Sequence, residues 1–288
     1  MRSRILRQKK GGAMKSDNPI IDVWMQQPTR EFLNHPMFAS LRKWMGIDLI
    51  EQDLPMEWTL DSMDQAGVHL GILCAWHGPC GPLISNEQVL SLIQSYPDRF
   101  KGLASVNLYQ PMEALREMTY YIKERGFVGV RQVQWFWNLP ATDRRYYPLY
   151  ARCVELDVPI CFQVGHTGPL CPSEPGRPIP YIDEVALDFP ELKMVCGHIG
   201  YPWTQEMIAV ATKHPNVYID TSAYTAKRFP PELVRYMKTN GKKKVIFGTN
   251  YPMIPHAKCL EDLDSLGLEE ETRECFLYKN AREVFNLD

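Results

Sequence analysis

From Pro19 onward the chain alternates between two kinds of segment. Short apolar, β-branched runs (Ile20–Trp24, Val68–Cys74, Gly102–Val106, Val128–Val133, Pro159–Val164, Leu192–Gly197, Asn216–Ile219 and Lys244–Gly248) each give way to a longer stretch. The runs are continuously apolar rather than strictly alternating, which suits strands covered on both faces, as in a parallel sheet. The stretches Asn86–Gln94, Met112–Glu124, Tyr147–Leu156, Tyr181–Leu187, Thr204–His214 and Pro231–Lys238 carry apolar residues at three- and four-residue spacing, the period of an amphipathic helix. Parallel neighbours need a crossover, and a helix supplies it. Eight strand–helix units in 288 residues predict an α/β fold, a (β/α)8 or TIM barrel. A doubly wound sheet would want a glycine-rich phosphate turn after the first strand, where this chain has Met25-Gln26-Gln27-Pro28.

Helix punctuation agrees with this reading. Ser85 and Asn86 are placed to cap the helix after the second strand. Gly126 and Gly241 follow basic helix ends, where a left-handed cap is expected. Pro190 and Pro215 stop helices before the sixth and seventh strands. Residues 27–55 form a small insertion after strand one; its Phe32, Phe38 and Trp44 suggest a lid over the mouth. Residues 261–285 read as closing helices. Residues 1–18 carry Arg2, Arg4, Arg7, Lys9, Lys10 and Lys15 without an apolar stretch, and are expected to be a disordered basic tail outside a single domain spanning 19–288.

Composition narrows the partners. With 45% hydrophobic and 23% charged residues, intrinsic disorder is excluded. A net charge of −2 gives no electrostatic reason to bind nucleic acid or an anionic membrane. No apolar run approaches the roughly 20 residues that span a bilayer. The eight cysteines include no CxxC pair, so they are read as reduced thiols of a cytoplasmic protein.

In such a barrel the chemistry lies at the C-terminal ends of the strands. Those ends present Trp24 and Gln26, Trp76 and His77, Arg131 with Gln132 and Gln134, His166, His198, Asp220-Thr221-Ser222, and Asn250. His166 and His198 end successive strands beside glycines, which leave room for a ligand. Two imidazoles at one mouth point to acid–base work, since imidazole titrates near neutral pH. Arg131 and Arg177 are candidates to grip a carboxylate. Trp24, Trp76, Trp135, Phe136 and Trp137 could wall a flat pocket. His35, His69, His214 and His256 are read as structural.

The segments Ile20-Ile21-Asp22-Val23, Tyr146-Tyr147-Pro148-Leu149-Tyr150, Gly165-His166-Thr167-Gly168, Gly197-His198-Ile199-Gly200 and Phe247-Gly248-Thr249-Asn250-Tyr251-Pro252-Met253 resemble the amidohydrolase-related branch of the amidohydrolase superfamily. That branch includes aminocarboxymuconate-semialdehyde decarboxylase, resorcylate decarboxylases and a pyrone-dicarboxylate lactonase. The resemblance covers nearly everything after residue 18.

The resemblance implies a metal pattern of His-x-His on strand one, His on strand five, often a His on strand six, and Asp on strand eight. This chain keeps His166 and His198 but carries Trp24, Gln26 and Asn250 at the other positions. Indole has only an N–H donor, and neutral amides are poor zinc ligands. The expectation is therefore no metal and no cofactor, with zinc completed by Cys196, His77 or Asp220 as the alternative. The expected activity is hydrolysis of an ester, lactone or amide in a small, carboxylated, cyclic substrate. His198 would be the base, His166 would polarise the carbonyl and Asn250 would orient water. Trp24, Gln26, Trp76, His77, Arg131 and Arg177 would bind substrate. Two alternatives stand beside it: non-oxidative decarboxylation of an aromatic or unsaturated acid, and a catalytically silent metabolite-binding barrel. A homodimer is expected from the habits of similar barrels.

Overall fold

The computed structural model describes residues 19–46 and 48–287; the basic tail lies outside them. Eight parallel strands form one sheet in sequential order: β1 (Ile20–Met25), β2 (Val68–Cys74), β3 (Phe100–Ala104), β4 (Phe127–Gln132), β5 (Ile160–Gln163), β6 (Met194–Gly197), β7 (Val217–Asp220) and β8 (Val245–Ile246). Sequential order with all-parallel pairing is what right-handed crossover helices produce. The sheet curls until its edges meet. Val23 N–H donates to the Phe247 carbonyl (3.1 Å), Asn250 N–H to Trp24 (2.7 Å) and Gln26 N–H to Tyr251 (3.0 Å). Among the described residues no helix is long and apolar enough to cross a membrane.

A buried carboxylate staples this seam. Asp22 Oδ1 accepts from Trp24 N–H and Thr249 N–H, both at 3.0 Å, while Oδ2 accepts from the Thr249 hydroxyl. His256 Nε2 lies 3.3 Å from the same oxygen, and its Nδ1 bonds to Ser62. Losing a partner from so enclosed a network would leave orphaned polar atoms, so its members hold the first and last strands in register.

All eight anticipated strands form. The third begins two residues earlier than its apolar run suggested. It ends at Ala104 because the Asn86 side chain takes over the Ser105 backbone, accepting its N–H and donating to its carbonyl, each at 3.0 Å. Ser85 caps the helix Asn86–Ser95 with a full capping box to Gln88, and Gly126 takes the left-handed cap conformation. Gly241 does not. The helix Pro231–Lys238 ends on Thr239, and Gly241 is instead packed so closely on the Tyr236 ring that an added Cβ would lie 2.3 Å from it.

Within the insertion, the helices Arg30–Asn34 and Ala39–Met45 are joined by a turn at Pro36–Phe38. Phe32 and Phe38 are buried under this cap, against Trp76, whereas Trp44 is largely exposed. An unanticipated antiparallel hairpin, Trp76–Gly78 with Gly81–Ile84, follows β2 and carries Cys80 at its turn.

Candidate active site

A cavity of about 510 Å³ opens at the C-terminal ends of the strands. Its walls are aromatic: Phe32 and Phe38 from the insertion, Trp76, and Trp135. Its polar groups are Gln163, His166, His198, Tyr201, Tyr224, Arg228 and Asn250, and no carboxylate among the described residues lines it.

Two turns aim the histidines. Gly165 follows β5 with φ +85°, and a Cβ there would meet the backbone of Tyr201 at 2.5 Å; only glycine allows the two loops to approach so closely. Gly197 ends β6 against the Trp24 ring, where a Cβ would lie 2.8 Å from the indole. His198 itself takes a left-handed backbone (φ +72°), as does Ile199 (φ +52°). Such conformations cost free energy in residues with side chains and persist where the surroundings enforce them.

His198 is buried, and its Nδ1 lies 2.7 Å from Ser222 Oγ. Its ring centre is 5.4 Å from that of Trp24. Burial, together with the positive charge of Arg131, pushes His198 down to about 3, so it meets a ligand as neutral imidazole. Asp220, which ends β7, is pushed up to about 7 by burial, opposed by the donors of Ser222. His166 is exposed at the mouth, with Nδ1 3.3 Å from Ser173 Oγ. Asn250 lies on the wall in a left-handed conformation (φ +66°). Gln26 Nε2 donates to its Oδ1 at 3.4 Å, which leaves the Asn250 amide N–H groups for the cavity.

The remaining candidates divide. Trp76 forms part of the wall. Gln26 lies buried behind it, donating to the Tyr251 carbonyl and accepting from Trp76 Nε1 at 3.3 Å. Trp24 and Arg131 also lie below the surface. The Arg131 guanidinium is fully buried, 4.2 Å from the ring centres of both Trp24 and Trp76, with the Cys74 thiol beside it and no oxygen acceptor for its nitrogens among the described residues. It therefore does not line the cavity as expected for a carboxylate grip; one indole separates it from the space.

His77 and Arg177 are not brought to the cavity. His77 Nδ1 bonds to the Gly78 carbonyl at 2.9 Å and its ring stacks on Trp137, because the hairpin turns it outward. Arg177 is held by Glu206 at 2.7 and 3.2 Å, rather than by its near neighbour Glu174, which accepts from Tyr181. The cation that does line the cavity is Arg228, in the short turn Ala226–Arg228 after β7. No ion-pair partner is recorded for it among the described residues. Its only signal in sequence is its place in the loop after the seventh strand.

This is the architecture of a (β/α)8 enzyme with its site at the strand ends. The family model for amidohydrolases matches residues 59–287, and the chain belongs to that family. Among characterised relatives, a 2-keto-4-carboxy-3-hexenedioate hydratase from Sphingobium sp. is 25% identical over 267 residues, covering 75% of this chain and 74% of the relative. A gamma-resorcylate decarboxylase from Polaromonas sp. is 24% identical over 260 residues, covering 71% and 76%. Among solved structures, the uncharacterized TIM-barrel protein Bb4693 from Bordetella bronchiseptica superposes with a TM-score of 0.80 at 26% identity, covering 93% of this chain and 99% of that one.

Two other structures of this fold correct the expectation about cofactors. A 5-carboxyvanillate decarboxylase from Novosphingobium aromaticivorans (TM-score 0.65, 17% identity, 97% and 98% covered) and a dihydroxybenzoic acid decarboxylase from Polaromonas sp. (TM-score 0.67, 18% identity, 94% and 97% covered) both contain manganese. A metal is thus at home in this scaffold, and the expectation of none is withdrawn. On this chain, Trp24 and Gln26 offer no anionic or imidazole donor. Among the described residues no three His, Cys, Asp or Glu side chains group to hold an ion. Those donors by themselves do not fit a divalent cation.

Proposed function

We propose that this chain is a non-oxidative decarboxylase of a small aromatic or unsaturated carboxylic acid. The observation that carries this reading is the cavity lining. It is largely aromatic, holds Arg228 and, among the described residues, no acid, and ends on a buried neutral imidazole. Such a space favours a planar anion and disfavours a cation. The gamma-resorcylate decarboxylases and the hydratase among its sequence relatives support it, since each name denotes chemistry on a carboxylated, unsaturated molecule. Hydrolysis, the first expectation from sequence, has less support from these relatives.

In this reading Arg228 meets the incoming carboxylate at the rim. The aromatic walls hold the ring, and the Asn250 amide N–H groups donate to a substrate oxygen. A carboxylate placed near His198 stabilises the imidazolium and raises its affinity for a proton. The imidazolium then protonates the carbon bearing the carboxyl group. As the new C–H bond forms, the C–C bond to the carboxylate breaks, its electron pair returns to the unsaturated system, and carbon dioxide leaves. An apolar surround favours this conversion of a charged carboxylate into a neutral product.

The test is product analysis with a panel of hydroxybenzoates and unsaturated acids. Release of carbon dioxide in step with substrate loss supports the reading. Cleavage of esters or lactones, with the acids untouched, sinks it.

A further inference from the structure

Burial sorts the residues around the cavity into a floor and a collar. Trp76, Trp135, Gln163 and His198 are buried and form the floor. Nearer the solvent, four separate segments bring apolar side chains to the same opening. Leu41 and Trp44 come from the helix Ala39–Met45, Tyr201 follows β6, Tyr224 follows β7, and Met253 and Ile254 follow β8. None of these six is buried; Trp44 is 76% exposed and Tyr201 48%. Single exposed apolar residues are ordinary, but a convergent set at the edge of a cavity marks a ligand surface. The cap side of the collar is held in place. Ser40 Oγ donates to the Gly168 carbonyl at 3.2 Å, and Leu170 N–H donates to the Met37 carbonyl at 2.8 Å. Leu41 packs so closely on Gly168 that an added Cβ would lie 2.8 Å from it.

We propose that the substrate has two parts: a carboxylated ring or alkene that reaches His198, and an uncharged apolar substituent, alkyl or aryl, that lodges in the collar. The substituent is attached on the side away from the carboxyl group. This orientation rests on the decarboxylase reading, which puts the carboxylate at His198; the collar itself does not depend on it. Size is the first argument. At roughly 30 Å³ per water, a cavity of about 510 Å³ holds the volume of roughly 17 waters. A single carboxylated ring displaces a minority of them and leaves the rest against indole, phenol and aliphatic carbon, from which expelling water is favourable. A substituent that fills the collar removes that water. Charge is the second argument. Arg228 lines the same opening, and no carboxylate among the described residues does. A cationic substituent would meet that guanidinium without a counter-charge, whereas an aryl face can lie against it. The third argument is shape. The rings of Tyr201 and Tyr224 stand 6.0 Å apart at 52°, a tilted pair with faces for alkyl or aryl carbon.

The experiment is calorimetric titration of the full-length protein with a series of 4-alkylbenzoates, from methyl to hexyl. Affinity should rise about two- to fourfold per added methylene and level off once the collar is filled. A benzoate whose 4-substituent is trimethylammonium should bind more weakly than its isosteric tert-butyl counterpart. Trp44→Ser and Tyr224→Ser should each lower the ratio of hexyl to methyl affinity, which reads the collar alone, by at least about fivefold. A wild-type affinity that is flat or falls along the series overturns the proposal even if neither variant folds. So does a ratio that survives in both variants, because the chain would then lie elsewhere. Turnover of 2-hydroxybenzoates bearing the same alkyl groups separates the two readings. If binding follows chain length but none of these acids releases carbon dioxide, the collar stands and the decarboxylase reading falls. If carbon dioxide is released but affinity ignores chain length, the decarboxylase reading stands and the collar falls.

Discussion

The guanidinium of Arg131 lies 4.2 Å from the ring centre of Trp24, inside a barrel whose described residues offer its nitrogens a thiol, Cys74, but no oxygen acceptor. Stacking on indole compensates part of the cost of burying this charge, and Trp76 on its other flank adds more. The absent acceptors mean that much of the cost remains.

It follows that Arg131→Met, which fills similar space without a charge, should leave thermal stability unchanged or raised. Arg131→Ala, which opens a cavity between two indoles, should cost about 2–4 kcal/mol. Chemical denaturation of both variants checks this. A loss in Arg131→Met as large as in Arg131→Ala would mean that the charge itself supports the fold. Because Arg131 helps hold His198 down at about 3, the methionine variant should also titrate at a higher pH, though still below the ordinary value because burial is the larger cause.

Two buried groups give the fold opposite responses to pH. His198 takes up its proton near 3 when folded but near 6.5 when free, so stability is lost as pH falls through that window. Asp220 holds its proton up to about 7 when folded but only to 3.8 when free, so its contribution is present at low pH and lost as pH rises through 7. Between about pH 4 and 6.5 the two slopes oppose. Asp220→Asn removes one of them. Its stability should fall by up to about 1.4 kcal/mol per pH unit more steeply on acidification than that of the wild type. Urea titrations at pH 7 and pH 5 measure the difference; parallel slopes would show that the two groups do not titrate this way.

Arg228 is exposed and is among the residues that line the cavity. Arg228→Ala should raise KM about tenfold, the equivalent of roughly 1.4 kcal/mol, with kcat nearly unchanged. The effect should shrink in high salt, as it does for exposed charges. An unchanged KM would move the carboxylate grip elsewhere.

The barrel was legible because strand and helix leave different periods in sequence, and the general rule that such barrels carry their sites at the strand ends pointed to the mouth. His166, His198 and Asn250 followed from that rule, and all three reach the cavity. What sequence did not reveal was depth. Their places at strand ends put Trp24, Gln26 and Arg131 near the mouth, but did not show that Trp76 would close over them. That closure depends on a hairpin hidden in Trp76-His77-Gly78-Pro79-Cys80-Gly81, which reads as a loop. Long-range pairing was equally hidden: Arg177 finds Glu206 on a helix 29 residues away rather than Glu174 three residues back. The same applies to Ser222, whose place beside His198 depends on how β6 and β7 lie together.

The most direct test of the account is decarboxylation in deuterium oxide, followed by mass spectrometry and NMR, with His198→Gln as the control. The account predicts carbon dioxide and a product bearing a single deuterium at the vacated carbon. It also predicts a rate at least about 100-fold lower in the glutamine variant. The contradicting result is a full rate in His198→Gln, or acids left intact while labelled water oxygen appears in the products of ester or lactone cleavage.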